Sequence, residues 1–196
     1  MLTSIDVKSD NVMNRTYRQR ARRASAARTR DAIVGAAVRL AGEKLLPAIT
    51  LNDVAECSGV TVQTVLRRFG SREALIAEAV QSLMVEGVAQ RPTGSGDVAD
   101  AVSTVVEQYE QFGETMLLLL GQERVDPQAA AITEHGRRLH DQWVREAFAS
   151  LDETKHRLLV IATDLYSWKL LRRDRRLSIR HTKEHMRMLC RMIING

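Results

Sequence analysis

The side chains with the right chemistry for reading DNA lie in one short stretch: Gln63, Thr64, Arg67 and Arg68. A glutamine amide can pair with adenine through two hydrogen bonds, a threonine can contact a thymine methyl group, and an arginine can bind guanine or a phosphate. On a helix from Val62 to Phe69 these side chains would point outward, while Val65 and Phe69 would face a core. Such a helix is about 12 Å long and can enter the major groove.

The residues around this helix predict two neighbouring helices and tight turns between them. Thr50 can cap the N-terminus of a preceding helix, with Asp53 in its first turn, and Thr61 can cap the second helix. Gly59 lies where the chain must reverse and tolerates a positive φ, and Ser71 can cap a third helix. This is the layout of a helix-turn-helix, which places its second helix in the major groove. A plain helical hairpin with a solvated charged face is the alternative.

Composition and apolar spacing favour an all-α chain of 196 residues. Ala, Leu, Arg and Glu dominate, aromatic residues make up 4%, and there are three prolines. We find no strand-like alternation and no internal repeat, and residues 91–96 form a clear break. The spacing predicts helices over the ranges Asp31–Leu45, Ser71 to about Val88, Asp97–Leu119, Ala129–Leu151, Asp152–Arg173 and Ser178–Ile194.

The positive charge of the chain is concentrated at its N-terminus. Residues 1–30 contain eight basic and two acidic residues, whereas the net charge of the whole chain is +5. Because this segment has few large apolar residues, we predict a disordered basic arm over residues 1–28. From Arg15 to Arg30 we expect contact with DNA phosphates or the minor groove. A solubilising leader is the alternative, and we favour it for residues 1–12.

Other patterns of chemistry-bearing residues do not indicate an enzyme. Cys57 and Cys190 are too few for a disulfide framework or a zinc site, and we expect both in or near helical cores. The run from His181 to His185 matches H-x-x-E-H, a metalloprotease pattern whose histidines share a helix face. Only eleven residues follow it to supply a third ligand, so we expect a surface or dimer-edge role. We therefore predict no catalytic residues, no metal and no cofactor.

The sequence also bears on where the chain works. No apolar run is long enough to span a membrane. The N-terminus lacks the hydrophobic core of a signal peptide. We therefore expect a cytoplasmic protein without a membrane partner.

Residues 29–80 resemble the DNA-binding domain of the TetR (tetracycline-repressor-like) regulators. The resemblance is carried by the helix TRDAIVGAAVRLAGEK, by DVAECSGVT after Thr50, and by VLRRFGSREAL. Near the C-terminus, DLYSWKLLRRDRRLS looks like the segment before the last helix in one large group of these proteins. The chain departs from the family pattern at three positions. Leu66 replaces a Tyr whose hydroxyl often touches a DNA phosphate, Arg68 replaces an aromatic residue or His, and Ala41 replaces a Phe.

The resemblance implies an organisation in two domains. Residues 29–75 would form a three-helix DNA-binding domain, a linking helix would run from 71 to about 89, and residues 90–196 would bind a ligand and dimerise. A homodimer would then bind double-stranded DNA at an inverted repeat, most often as a repressor. A small, hydrophobic effector would release it. The alternative is a helical protein-interaction module without specific DNA binding.

The site residues follow from the same interpretation. The expected DNA contacts are Thr50, Thr61, Val62, Gln63, Thr64, Arg67, Arg68 and Arg72. Of these, the expected phosphate contacts are Thr50, Thr61, Arg68 and Arg72. The residues expected to line a ligand pocket are Tyr109, Phe112, Met116, His140 and Trp143.

Two apolar stripes on the last helices predict the dimer interface: Leu158, Ile161, Leu165 and Trp168, with Met186, Leu189 and Ile193. A symmetric pair of such hairpins makes a four-helix bundle. The alternative is that the stripes fill the core of the monomer. A second basic cluster, at residues 172–176, is expected to be a solvated loop or to pair with acidic residues across the dimer.

Overall fold

The computed structural model describes residues 6–89, 97–148 and 151–196, and it describes side chains from residue 18 onward with a gap at 83–96. Within these ranges the chain is helical and contains no strand, as the sequence predicts. The helices are α1 (Asp6–Ala41), α2 (Leu51–Ser58), α3 (Val62–Phe69), α4 (Arg72–Ala89), α5 (Val98–Leu120), α6 (Pro127–Ala147), α7 (Glu153–Ala162), α8 (Leu165–Lys169) and α9 (Ile179–Asn195). A 3-10 turn, Leu46–Ala48, precedes α2, and a π-helical turn, Leu170–Asp174, follows α8.

Helix α1 begins far earlier than the spacing of apolar residues predicts. Residues 6–28, predicted to belong to a disordered arm, continue the helix of the domain in the structure, and residues 1–5 lie outside the described ranges. From Arg18 to Arg30 most side chains are exposed, and Arg30 pairs with Glu78 of α4. This part of α1 therefore rests on the helix propensity of its Arg and Ala residues, whereas its scarcity of large apolar residues predicts disorder.

The first four helices pack around one apolar core. Its buried members include Ile33, Ala37, Leu46, Val54, Val65, Leu75 and Ile76. Leu119 at the end of α5 and Ile132 on α6 belong to the same core. The helix-turn-helix therefore shares buried apolar surface with the helices that follow the linking helix.

A second core lies among α5 to α9 and is organised by two fully buried tryptophans, Trp143 and Trp168. The indole N–H of Trp168 donates to Glu110 on α5 at 2.8 Å. A Cβ at Gly113 would lie 2.6 Å from the Trp168 ring, so only glycine allows this close approach of the ring to α5. Cys190 is buried in the same core, and burial raises the pKa of its thiol to about 12. Cys57, which we expected in or near a core, is exposed on α2 because it lies on the face of this short helix that points to solvent.

The helix predicted from Asp152 to Arg173 is broken in the structure. α7 ends at Ala162, Asp164 caps the new helix α8 by accepting the Tyr166 N–H at 2.8 Å, and α8 runs into the π-helical turn. The apolar spacing continues through the break, so periodicity alone did not reveal it. The predicted loop around residues 172–176 lies partly in this turn. Two of its four arginines pair within the same chain: Arg172 and Arg173 contact the carboxylates of Glu110 and Glu114 on α5.

No helix in the described part of the chain combines the length and the apolar character needed to cross a membrane.

Candidate nucleic-acid interface and internal cavity

Helix α3 presents a polar outer face on a short, firmly anchored element. Val65 is fully buried in the first core, and Phe69 packs against that core. Gln63, Arg67 and Arg68 are exposed on the other side. Val62 and Thr64 are half-buried, and Leu66 is exposed among the polar side chains. The anchored apolar side therefore fixes which residues of α3 face outward.

The capping residues predicted from the sequence hold both ends of the turn. The Thr50 hydroxyl accepts the Asp53 N–H at 3.1 Å, and the Asp53 carboxylate accepts the Thr50 N–H at 2.8 Å. Lys44 donates to the same carboxylate, and this bond, with those from Thr50, lowers the Asp53 pKa to about 2. Gly59 follows α2 with a φ of +69°, and the Thr61 hydroxyl accepts the Thr64 N–H at 3.2 Å. These bonds set the start and direction of α3.

Arg72 is the expected DNA contact whose surroundings differ from the prediction. Its Nε donates to the carbonyl of Ile49 at 2.6 Å, and one terminal nitrogen donates to the carbonyl of Leu46. The other terminal nitrogen pairs with Glu73. The guanidinium therefore ties the start of α4 to the turn before α2 instead of facing outward. Spacing placed it on the correct helix but could not show these carbonyl partners.

Comparison with known proteins agrees with this geometry. Residues 33–79 match the model of "Bacterial regulatory proteins, tetR family". The segment that contains α2 and α3 is therefore similar to tetR-family regulatory proteins, and these findings support a TetR-family regulator. This similarity supports a DNA-binding role in transcription regulation, and members of the family are typically not enzymes. No curated protein sequence matches it significantly.

Solved structures show the same fold at low sequence identity. A transcriptional regulator from Rhodococcus sp. Rha1 has a TM-score of 0.66 and 17% identity, over 85% of this chain and 96% of that one. A protein described as a TetR-family transcriptional regulator from Rhodococcus sp. has a TM-score of 0.62 and 20% identity, over 84% and 98%. A TetR transcriptional regulator from Rhodococcus sp. RHA1 has a TM-score of 0.52 and 20% identity, over 85% and 96%.

The C-terminal part of the chain contains a cavity of about 160 Å³ between α5, α6 and the start of α8. Three of the five residues expected around a pocket line it: Tyr109, Met116 and His140. Phe112 does not line it, and Trp143 is buried in the second core against Phe148 and His140. Helical spacing could not separate these two groups, because both lie on inward faces.

The cavity has further lining residues that the sequence analysis did not single out. Its apolar wall includes Leu119, Leu120, Ile132, Leu139 and Leu165, and its polar groups include Gln108, Thr133, Arg137, Asp164 and Tyr166. Leu119 and Ile132 also belong to the first core. The wall of the cavity is thus continuous with the packing of the helix-turn-helix.

The two stripes predicted for a dimer interface separate into buried and exposed residues. Leu165, Trp168 and Met186 are buried in the second core, so the structure assigns them to the inside of the protomer. Ile193 is half-buried against that core. The exposed apolar residues on α7 and α9 are Leu158, Ile161, Ile179, Met188, Leu189 and Met192. We refer to these six residues as the exposed apolar strip.

One buried side chain joins the C-terminal helices to the helix-turn-helix, and no sequence signal marked it. Gln122, in the turn after α5, accepts the Leu46 N–H at 2.7 Å and donates to the Leu118 carbonyl at 2.8 Å. Gln128 at the start of α6 donates to the Glu73 carbonyl of α4 at 2.9 Å. The turn after α5 therefore holds the turn before α2, and the start of α6 holds the first turn of α4.

The histidines of the H-x-x-E-H pattern lie on the exposed surface of α9. His185 bonds through Nδ1 to the carbonyl of His181, and His181 lies 4.0 Å from Glu184. Among the residues described, no group of three or more His, Cys, Asp or Glu side chains is arranged to hold a metal ion. These contacts are ordinary ones for a helix surface.

Proposed function

We propose that this TetR-family regulator is a repressor that binds an inverted repeat as a homodimer and leaves the DNA when a small effector binds. The observation that carries the DNA-reading part is the outer face of α3, where exposed Gln63, Arg67 and Arg68 project from a helix anchored by Val65. Gln63 is the proposed base contact. A regulator that acts on chromosomal DNA would work in the cytoplasm.

The proposed contacts divide by chemistry. Thr64 and Arg67 would meet bases or phosphates, and Val62 would contact the groove wall. Thr50, Thr61 and Arg68 would bind phosphates and so position the helix without selecting a sequence. We leave Arg72 out of this set because its guanidinium is bonded to backbone carbonyls.

The exposed apolar strip supports the homodimer. Six large apolar side chains exposed on neighbouring helices of one protomer support an interface, since clustered exposed apolar surface marks interaction sites. A two-fold axis through α7 and α9 would pair the strips and form a four-helix bundle. Two copies of α3 would then face an inverted repeat.

The cavity and its shared wall support the effector response. A ligand between α5 and α6 would press on Leu119 and Ile132, which pack against the helix-turn-helix. Such a ligand shifts the population toward the arrangement of the two α3 helices that it binds better. In this proposal residues 29–75 read DNA, residues 90–196 sense the effector and dimerise, and α4 links them.

The test is selection of bound duplexes from a random library with purified protein at near-physiological salt. We expect an enriched inverted repeat, and a variant with Arg67→Ala and Arg68→Ala should fail to enrich it. Arg138→Ala, which removes an exposed arginine of α6, is the matched control and should enrich the same sequence. Weak binding that vanishes as salt rises, with no enriched sequence, would contradict the proposal and favour the helical interaction module.

A further inference from the structure

The break between α7 and α8 places a carboxylate at the apolar cavity. Asp164 lines the cavity beside Leu165 and Tyr166. One carboxylate oxygen accepts the Tyr166 N–H at 2.8 Å, which fixes the side chain at the start of α8. A continuous helix from Asp152 to Arg173 would not have held the carboxylate in this capping geometry.

Arg137, whose positive charge acts on this carboxylate, is engaged elsewhere. Arg137 also lines the cavity, but its guanidinium donates to Glu123 at 2.8 Å and to Glu134 at 3.1 and 3.2 Å. In the part of the chain that the structure describes, Asp164 forms no ion pair with a lysine, arginine or histidine. Burial raises the pKa of Asp164, and the backbone N–H groups of Tyr166 and Leu165 and the charge of Arg137 oppose that rise.

Three other polar side chains of the cavity lining, those of Tyr109, His140 and Thr133, already have partners inside the protein. The Tyr109 hydroxyl donates to the Thr163 carbonyl at 3.0 Å, and His140 bonds to the Thr163 hydroxyl at 3.1 Å. Thr133 donates to Glu123 at 2.8 Å. Asp164 is thus the lining group that a bound molecule can complement by supplying a positive charge.

We propose that the effector is a small organic cation, with an apolar body of about one ring and a protonated amine that pairs with the Asp164 carboxylate. This inference rests on the proposed effector response of the same cavity. The volume of about 160 Å³ is close to that of an engineered apolar cavity of about 150 Å³ that binds benzene. The ring of Tyr166 beside Asp164 adds an aromatic face, which favours a cation over a neutral group.

The experiment compares three probes of similar shape by titration calorimetry at pH 7: 2-phenylethylamine, neutral propylbenzene and anionic 3-phenylpropanoate. For the wild-type protein we expect the amine to bind about 10- to 100-fold more tightly than propylbenzene, as for a charge-assisted hydrogen bond. Asp164→Asn keeps the capping acceptor but removes the charge, so the two probes should bind it about equally. Asp152→Asn, the same change at the exposed cap of α7, is the matched control and should keep the preference.

The outcomes separate this inference from the proposed function. A preference that persists in Asp164→Asn, tighter binding of the neutral or anionic probe by the wild type, or binding of none of the three would overturn the cationic effector. The same probes are then added to the complex with the selected duplex. Amine binding without DNA release supports the cation site and contradicts the effector response, whereas release by a neutral or anionic probe supports the response and contradicts the cation site.

Discussion

At the residue scale, partners decide what a side chain of suitable chemistry does. Arg67, Arg68 and Arg72 all follow one another closely near the end of α3 and the start of α4. The first two are exposed, whereas the third donates to carbonyls of the turn before α2. The same guanidinium group is therefore exposed to solvent in two cases and bonded to the backbone in the third.

Gln63 should select a base, and Arg68 should not. We expect Gln63→Ala to reduce discrimination at one base pair of the half-site by about 1–3 kcal/mol, with binding to random duplexes unchanged. Arg68→Ala should weaken binding to selected and random duplexes about equally. It should also make the slope of log K against log salt concentration shallower by about one. Fluorescence anisotropy against single-base variants of the selected duplex measures both. Equal loss on specific and random DNA for Gln63→Ala would refute the reading role.

Arg72 should contribute to stability more than to DNA affinity. Arg72→Ala leaves two backbone carbonyls without their charged donor, so we expect the free energy of unfolding to fall by about 1.5–3 kcal/mol in urea denaturation. Arg67→Ala is the control, because the exposed side chain of Arg67 should leave stability unchanged. If Arg72→Ala left stability unchanged but bound DNA much more weakly, Arg72 would be a phosphate contact after all.

At the element scale, the ends of helices are set by local chemistry and the breaks within them by packing. Thr50, Thr61, Asp97 and Asp126 each accept backbone N–H groups at the start of a helix, as their residue types predict. The break at Asp164 is different. There the capping residue lies inside a continuous apolar pattern, and the interruption became visible only in the folded chain.

Alanine at Gly59 and alanine at Gly35 should change the free energy of unfolding in opposite directions. Gly59 has a φ of +69°, so Gly59→Ala should lower the free energy of unfolding by about 1–2 kcal/mol. Gly35 lies on the exposed side of α1 with open space around its Cα, so Gly35→Ala should raise that free energy by about 0.5–1 kcal/mol. Urea denaturation of the two variants side by side tests the pair. Destabilisation of similar size by both substitutions would contradict the view that only Gly59 needs a positive φ.

At the scale of the whole molecule, the two cores and the exposed apolar strip connect the proposed dimer interface, the cavity and the helix-turn-helix. The strip is proposed to join two protomers, and the cavity wall is shared with the core of the helix-turn-helix. Arg172 and Arg173 bind α5 of their own chain, so their charges hold the π-helical turn in place. This arrangement leaves the outer sides of α7 and α9 for a partner.

A charge within the exposed apolar strip should separate the dimer without unfolding the protomer. Ile161 is 62% exposed, so Ile161→Glu should yield a helical monomer in sedimentation velocity, with weakened binding to an inverted repeat. Val125→Glu is the matched control, because Val125 is 84% exposed in the turn between α5 and α6. A dimer that survives Ile161→Glu would place the interface elsewhere.

Removing the Gln122 side chain should loosen the link between the two halves. Gln122→Leu leaves the buried Leu46 N–H without its acceptor, at a cost of about 1–3 kcal/mol. Hydrogen exchange at the Leu46 amide should therefore become faster, while Gln111→Leu, at an exposed position of α5, should leave it unchanged. Unchanged Leu46 exchange in Gln122→Leu would show that this bond does not hold the turn.

The sequence by itself determined the all-α fold, the helix-turn-helix and most helix starts, because caps, glycines and apolar spacing act over a few residues. Only the tertiary structure decided which inward-facing residues line the cavity and which fill a core: Met116 lines it, whereas Trp143 does not. It also placed Trp168 inside the protomer and Ile161 outside it, and it brought Asp164 to the cavity. Helical periodicity specifies a face, but what packs against that face depends on residues far away in the chain.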